Sequence, residues 1–163
     1  MSTSFHVRVE KDYLVFSAAH FITLSENVCE RLHGHNYRVA AEVFGPLNHE
    51  QMVVDFIVLR DSLAALIAAL DHRVILPTQH PKIQVRSAGE SVEVMFEERR
   101  WLFPQGDCAL LPVTNTTAER LAEYLAHRLL AELKDNRGAC PARLRIEVDE
   151  CYGQIGICEL SSD

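Results

Sequence analysis

Apolar and polar residues alternate along two stretches near the start of the chain. Val7, Val9, Tyr13 and Val15 predict an extended segment from about Phe5 to Phe16, interrupted by the polar Glu10, Lys11 and Asp12. Tyr37, Val39, Ala41 and Val43 then alternate with Arg38, Ala40, Glu42 and Phe44, predicting a second strand from about Tyr37 to Gly45. Between them, the polar stretch from Ile22 to Leu32 reads as a loop or a short helical turn.

The period lengthens at Asp55. Phe56, Leu59, Leu63, Leu66, Ile67 and Leu70 recur every three or four residues, which predicts a helix with one apolar stripe and Asp55 at its cap. Thr116 and Glu119 have capping-box spacing, and Leu121, Leu125, Leu129 and Leu133 carry a second helix toward a stop near Gly138 and Pro141. Between the helices, Ile83 to Val85 and Val92 to Phe103 flank Ser-Ala-Gly-Glu and predict a β-hairpin. Leu144, Ile146 and Val148 alternate with charges, and Tyr152-Gly153 turns the chain into a last strand over Gln154 to Leu160.

Strands and helices in this order do not alternate strictly. The expected class is α+β, an antiparallel sheet covered on one face by two helices, in a single domain over residues 1–163. Two helices leave the second face partly open. Ala40, Phe44, Ile155 and Ile157 would make that face apolar enough to favour assembly.

Composition narrows the function classes. The 23 acidic residues outnumber the 16 Lys and Arg, giving a net charge of −7, and no stretch gathers bases to track phosphates, so nucleic acid is not an expected partner. No run is long enough to span a bilayer and no leader pattern occupies Met1 to Phe16, which predicts a cytoplasmic protein without a membrane partner. The five cysteines are widely spaced and contain no CxxC pair, which argues against a disulfide framework or a four-cysteine metal site. Cys108, Cys140 and Cys158 read as small apolar filler or exposed thiols.

The reactive residues concentrate in "CERLHGHNYRV", Cys29 to Val39. In extended backbone His33 and His35 leave the same face, with the small Gly34 between them. His20 ends the first strand, where an antiparallel partner could bring it beside them. Three neutral imidazoles with one open position suit a catalytic zinc site; the same spacing also suits a solvated turn. Cys29, four residues before His33, could share that cavity as a base or be a buried thiol. Asp71-His72 could form an orienting pair for proton transfer, provided the helix has ended before them. Glu150 is either a solvated strand terminus or an acid aimed into a pocket. His6, His49, His80 and His127 are given no role.

Taken in order, "FSAAH", "CxxxHGHNY", "VVDF" leading into a helix, "LDH" at its end, "NTTAE" opening the second helix and a final Glu after an alternating strand resemble the 6-pyruvoyltetrahydropterin synthase superfamily. Within it the chain looks most like the 6-carboxytetrahydropterin synthases. The resemblance implies the T-fold, a four-stranded antiparallel sheet with two helices on one face, assembled as a homo-oligomer that is hexameric or built from trimers. It implies a Zn2+ ion on His20, His33 and His35, Cys29 as base with Asp71 and His72, and Glu150, assisted by Thr117, holding the pterin.

The activity so implied is conversion of 7,8-dihydroneopterin triphosphate to 6-carboxytetrahydropterin, releasing triphosphate and acetaldehyde, toward queuosine and other 7-deazaguanines. Alternatives are formation of 6-pyruvoyltetrahydropterin, side-chain cleavage to a hydroxymethyl pterin with Glu30 as base, or pterin binding without turnover. Two departures from the pattern stand out. Residues 73–114 are longer than in compact members, and Cys151 occupies a position where threonine commonly follows the glutamate.

Overall fold

The computed structural model describes residues 2–25, 28–137 and 141–162. The expected helix stop at Gly138 and the filler role of Cys140 lie outside the described residues. The elements are β1 (His6–His20), β2 (Thr23–Ser25), β3 (Val28–Cys29), β4 (His33–Phe44), α1 (Phe56–Ala68), β5 (Arg73–Pro77), β6 (Gln84–Ala88), β7 (Ser91–Phe96), β8 (Arg99–Pro104), β9 (Cys108–Leu111), α2 (Ala118–Arg137), β10 (Arg143–Cys151) and β11 (Gln154–Ser161). They form the expected α+β T-fold. The antiparallel strands β11, β10, β4 and β1 lie side by side, and α1 and α2 pack on one face of them.

Several boundaries differ from the periodicity reading. The sheet has six strands, because β5 and β9 extend the β1 edge in parallel orientation. Their sequences, RVILP and CALL, are too short for period two to register. The predicted hairpin is a three-stranded meander, since Val92 to Phe103 turns back at Glu97, whose φ is 52°. The expected loop from Ile22 to Leu32 contains the short β2–β3 ribbon. Strand β1 continues to His20 and β4 begins at His33, so both reach further than their apolar residues indicated.

Glu10-Lys11-Asp12 does not end β1. Between the pairs Glu10↔Ala40 and Val15↔Arg38 the chain takes five steps along β1 against two along β4. This bulge adds an odd number of residues, so the inward row changes parity: Val7 and Val9 face the helices before it, and Leu14, Phe16, Ala18 and His20 after it.

The helices follow their stripes except at Phe56, which opens α1 and is exposed because the first turn projects beyond the sheet-facing row. Asp55 caps α1 by accepting from Ile57 N–H at 2.7 Å. Leu59 and Leu63 of α1 and Leu121, Leu125, Leu129 and Leu133 of α2 are fully buried against Phe16, Tyr37, Val39, Ile146 and Val148. Each such leucine contributes about 1.5–3 kcal/mol relative to exposure. The cap lies one residue later than predicted and, among the described residues, without the reciprocal glutamate contact of a capping box. Thr117, not Thr116, caps α2, its Oγ1 accepting from Arg120 N–H at 3.5 Å, while the buried Thr116 donates to Phe21 O at 3.3 Å. A second apolar cluster, including Phe21, Leu76, Ile83, Val92, Val94 and Phe96, joins the meander to the end of β1.

The opposite sheet face is more ionic than the sequence suggested. Ile155 and Ile157 are exposed, but Ala40 is buried and Phe44 lies beneath the Arg143 guanidinium at 3.8 Å. Arg8 bridges Glu42 at 2.9 Å and Glu147 at 2.6 Å, and Arg145 adds a second contact to Glu147 at 2.8 Å. Reading only the apolar members of each strand passed over the charged rows between them. Among the described residues no helix is long and apolar enough to cross a membrane.

Close packing of α2 on β11 depends on Gly156. A Cβ built there would stand 2.4 Å from the Ala118 carbonyl carbon and 2.5 Å from Glu119 N, both backbone atoms that cannot rotate away. Gly156→Ala should destabilise the fold by about 1–3 kcal/mol through overpacking. A chemical-denaturation midpoint unchanged from wild type would refute this account of the helix–sheet contact.

Candidate metal centre and its surroundings

The register of β1 on β4 sets His20 opposite His33, and Gly34 opposite Ala19. A side chain at Gly34 would lie 3.1 Å from Ala18 O, so this crossing favours glycine. His33 and His35 point the same way along β4. The three rings meet at centroid separations of 4.7, 5.3 and 4.9 Å with interplanar angles of 62°, 82° and 89°, so they approach edge to face. One nitrogen from each lies within 4.8 Å of the other two.

Two backbone carbonyls fix which nitrogens converge. His20 Nδ1 is 3.0 Å from Thr116 O, and His33 Nδ1 is 2.8 Å from Arg31 O. A carbonyl can only accept, so both Nδ1 atoms carry protons and both Nε2 atoms present lone pairs. Those two Nε2 atoms are 3.2 Å apart. With no proton between them the lone pairs repel, unless a cation sits where both can reach it. Two nitrogens on a tetrahedral zinc, at roughly 2.0–2.1 Å each, would be separated by about 3.3 Å. Carbonyl-anchored imidazoles are also the usual support of metal-bound histidines. The residues therefore fit a metal ion.

Burial completes the set. His20 is 1% exposed. Desolvation, opposed by the Thr116 carbonyl and reinforced by the charges of His33 and His35, lowers its pKa to about 4. It is neutral at physiological pH, the form a metal requires.

Glu150, at the end of β10, does not extend into solvent alone. Its Oε1 is 3.5 Å from His20 Nε2 and 3.8 Å from His35 Nε2, and it accepts from the Tyr37 hydroxyl at 3.4 Å. Tyr37 is a residue that the sequence reading treated only as a strand apolar position. It is fully buried, with its hydroxyl 3.1 Å from both ring nitrogens of His20. Burial first, then the Glu150 charge, pushes its phenol far above the ordinary value, so it stays a donor. A signal was present in the sequence: a tyrosine on the inward row, two residues beyond His35. Glu150 also lines a groove of about 520 Å³ with Asn36, Arg38, Asp149 and Tyr152.

Asp71 and His72 form the expected pair. α1 has ended, and His72 adopts φ 56°, which turns its ring back so that Nδ1 meets Asp71 Oδ2 at 2.9 Å. Asp71 Oδ1 accepts from Ser17 N–H at 2.8 Å, and His72 N–H donates to Ser17 O at 2.7 Å, fastening the pair to β1. The Ser17 amide, then His72, hold the Asp71 carboxyl below its usual range. His72 and His35 line one open groove of about 490 Å³.

The two adjacent candidate bases differ in setting. Cys29, on β3, packs against the Phe21 and Ile83 cluster, and burial raises its thiol pKa, with Arg99 pulling the other way. Glu30 reaches toward the histidines, its Oε2 3.8 Å from His33 Nε2. Thr117 is half-buried at the start of α2, where its hydroxyl serves the cap.

A T-fold chain in which three imidazoles and a carboxylate meet at one end of the sheet, with an Asp-His pair on a groove shared with His35, is an α+β protein with a candidate metal centre. The family model for 6-pyruvoyl tetrahydropterin synthase matches residues 9–156, and the chain belongs to that family. It is 30% identical over 146 residues to a Methanocaldococcus jannaschii protein, covering 89% of this chain and 88% of that one. It is 33% identical over 136 residues to a Pyrococcus abyssi protein, covering 83% and 79%. Both carry the provisional name 6-carboxy-5,6,7,8-tetrahydropterin synthase. The Plasmodium falciparum 6-pyruvoyl tetrahydropterin synthase structure superposes with a TM-score of 0.91 at 27% identity, covering 99% of this chain and all of that one.

If the three imidazoles share a cation, His20→Ala, His33→Ala and His35→Ala should each lower bound divalent metal at least about tenfold, since loss of even an outer-shell partner typically weakens affinity 10–100-fold. Elemental analysis of the purified variants measures this. Undiminished metal in all three would dismiss the site.

Proposed function

We propose that the chain is a zinc-dependent lyase converting 7,8-dihydroneopterin triphosphate to 6-carboxy-5,6,7,8-tetrahydropterin, with release of triphosphate and acetaldehyde, in the cytoplasm and toward 7-deazaguanine compounds such as queuosine. The observation that carries this reading is the cluster of His20, His33 and His35 with two Nε2 lone pairs held 3.2 Å apart by carbonyl-anchored tautomers. The names of the archaeal relatives support the choice of product.

Bound zinc would supply Lewis-acid polarisation of oxygens on the substrate side chain, making neighbouring C–H protons easier to remove. The protein's own groups handle the protons and the ring. Cys29 is the proposed base. Asp71 holds His72 by Nδ1, which leaves Nε2 to give or take a proton. Glu150 is proposed to accept two N–H bonds from the aminopyrimidine edge, with Thr117 assisting, and a carboxylate suits that bidentate pairing.

A second reading has one observation in its favour. Glu30 stands 3.8 Å from His33 Nε2, whereas the Cys29 thiol is drawn into an apolar cluster. With Glu30 as base, the same centre would cleave the side chain to leave a hydroxymethyl pterin.

Incubating zinc-loaded protein with dihydroneopterin triphosphate and identifying products by mass spectrometry separates these readings. Acetaldehyde with a 6-carboxy pterin is the expected result. Cys29→Ala should then reduce turnover about 10²–10⁴-fold while retaining zinc and pterin affinity, and Glu30→Ala should change it only slightly. Glycolaldehyde with a hydroxymethyl pterin, and abolition by Glu30→Ala, would transfer the role to Glu30. Stoichiometric pterin binding without product would leave a binding protein.

The protein is also proposed to act as a homo-oligomer, hexameric or trimer-based, because one sheet face is uncovered and carries the exposed Ile155 and Ile157. Sedimentation at micromolar concentration should give a species several times the 18.4 kDa chain mass. A fully active monomer would end this proposal.

A further inference from the structure

The meander meets the segment bearing both candidate bases through the apolar cluster around Cys29 and through one polar residue, Arg99. Arg99, the first residue of β8, donates from Nη1 to Cys29 O at 2.7 Å and from Nη2 to Glu30 O at 3.0 Å. Successive carbonyls are thus gripped by one planar fork, a geometry that a flexible ammonium cannot reproduce. The fork is itself fixed. Its Cζ lies 4.6 Å from the centroid of the Trp101 ring, and Trp101 stacks on Phe21 at 4.7 Å with 14° between the planes. Phe21 follows His20 directly, so this stack ties the Cys29–Glu30 carbonyls to the end of the strand that carries a candidate metal ligand.

The segment has few other restraints. Glu30 N–H donates to Ile22 O at 2.9 Å, the Cys29 side chain packs on the second apolar cluster, and among the described residues the β2–β3 ribbon pairs Thr23 with Cys29 and Ser25 with Val28. A two-pair ribbon is not stable by itself. Its base is secured by Asn115 and His80. Asn115 Nδ2 donates to Thr23 O at 3.2 Å. His80 Nδ1 accepts from Lys82 and Ile83 N–H at 3.0 and 2.8 Å, so its Nε2 carries the proton toward Thr23 Oγ1 at 2.9 Å. These contacts hold Thr23 on β2, directly across from Cys29, and Arg99 holds the β3 side of the same end, where the chemistry is proposed.

We infer that Arg99 is a positioning residue: from the meander, it clamps the Cys29–Glu30 backbone and thereby sets the placement of whichever of the two side chains serves as base. This rests on the proposed function for its catalytic consequence, but not for the clamp itself. Misplacement of a reacting group by about 1 Å can cost about 10²-fold in rate. Losing the fork should therefore appear in kcat more than in pterin affinity.

The test uses the full-length protein with metal bound, comparing wild type, Arg99→Ala and Arg99→Lys. In Arg99→Ala, kcat should fall about 10–100-fold with KM within about twofold and metal content unchanged. Hydrogen exchange at the Glu30 amide should accelerate about tenfold or more, while β4 amides keep their rates. Arg99→Lys should recover part of both effects. Wild-type kcat in Arg99→Ala would overturn the inference. So would loss of metal with faster exchange throughout β4, because Arg99 would then be a general structural prop. If wild-type protein makes no product from the pterin triphosphate, the proposed function falls and exchange alone decides the clamp: an unaccelerated Glu30 amide in Arg99→Ala then overturns it.

Discussion

The pairing of β1 with β4 is the constraint on which the site depends. These strands are antiparallel from His6↔Phe44 to His20↔His33, and the last of those pairs opens the histidine cluster. Side chains alternate with a strict period of two, so a slip by one residue would turn His20 away from the helices and leave His33 and His35 with no third imidazole. The bulge between Glu10 and Val15 is therefore part of the site, although it lies well away from it along the strand. Its odd number of extra residues lets one strand bury Val9 at one end and His20 at the other, with the parity of the inward row reversed between them.

That placement carries an electrostatic burden. An imidazole on the inward row is desolvated, and His20 can remain there only if its polar atoms are satisfied. Nδ1 donates to the Thr116 carbonyl and the Tyr37 hydroxyl stands 3.1 Å from Nε2, whereas the Glu150 carboxylate, 3.5 Å from Nε2, can only accept and does not satisfy that lone pair. The reverse face of the same strands carries permanent charge, with Arg8 and Arg145 interleaved among Glu42 and Glu147. Permanent ions thus stand largely on the open face. The covered face holds groups that are neutral or become charged only with a ligand, apart from Glu150 at its end.

How much of this could be read from residues follows from how local each signal is. Helix stripes are local, and Leu121 to Leu133 and Leu59 to Ile67 behaved as their spacing predicted. The histidine cluster was legible because two members are two residues apart and the third ends a strand. The parallel strands β5 and β9 were not legible, since RVILP and CALL are too short to show a period and their pairing is set by chain reversal through α1 and the meander. Thr116 and Thr117 show the same limit at a single residue. Both can cap, and burial of Thr116 against Phe21 O decides for its neighbour. Arg99 had no sequence signal, because its partners are backbone carbonyls 70 and 69 positions away.

The opposing influences on Cys29 bear on how a buried thiol could act as a base. Desolvation raises its pKa, the Glu30 charge adds to that, and the Arg99 guanidinium lowers it. With burial the largest of these, the resting chain favours the neutral thiol, which also packs better against Phe21 and Ile83. A dication held by the imidazoles would join Arg99 in favouring the thiolate. The Glu30 side chain, by contrast, is 31% exposed and stands 3.8 Å from His33 Nε2. The two residues that Arg99 grips thus differ in setting: a packed thiol whose pKa burial raises, and a partly exposed carboxylate beside His33. If either acts as the proposed base, its placement follows from the backbone of Cys29 and Glu30, whose two carbonyls Arg99 holds.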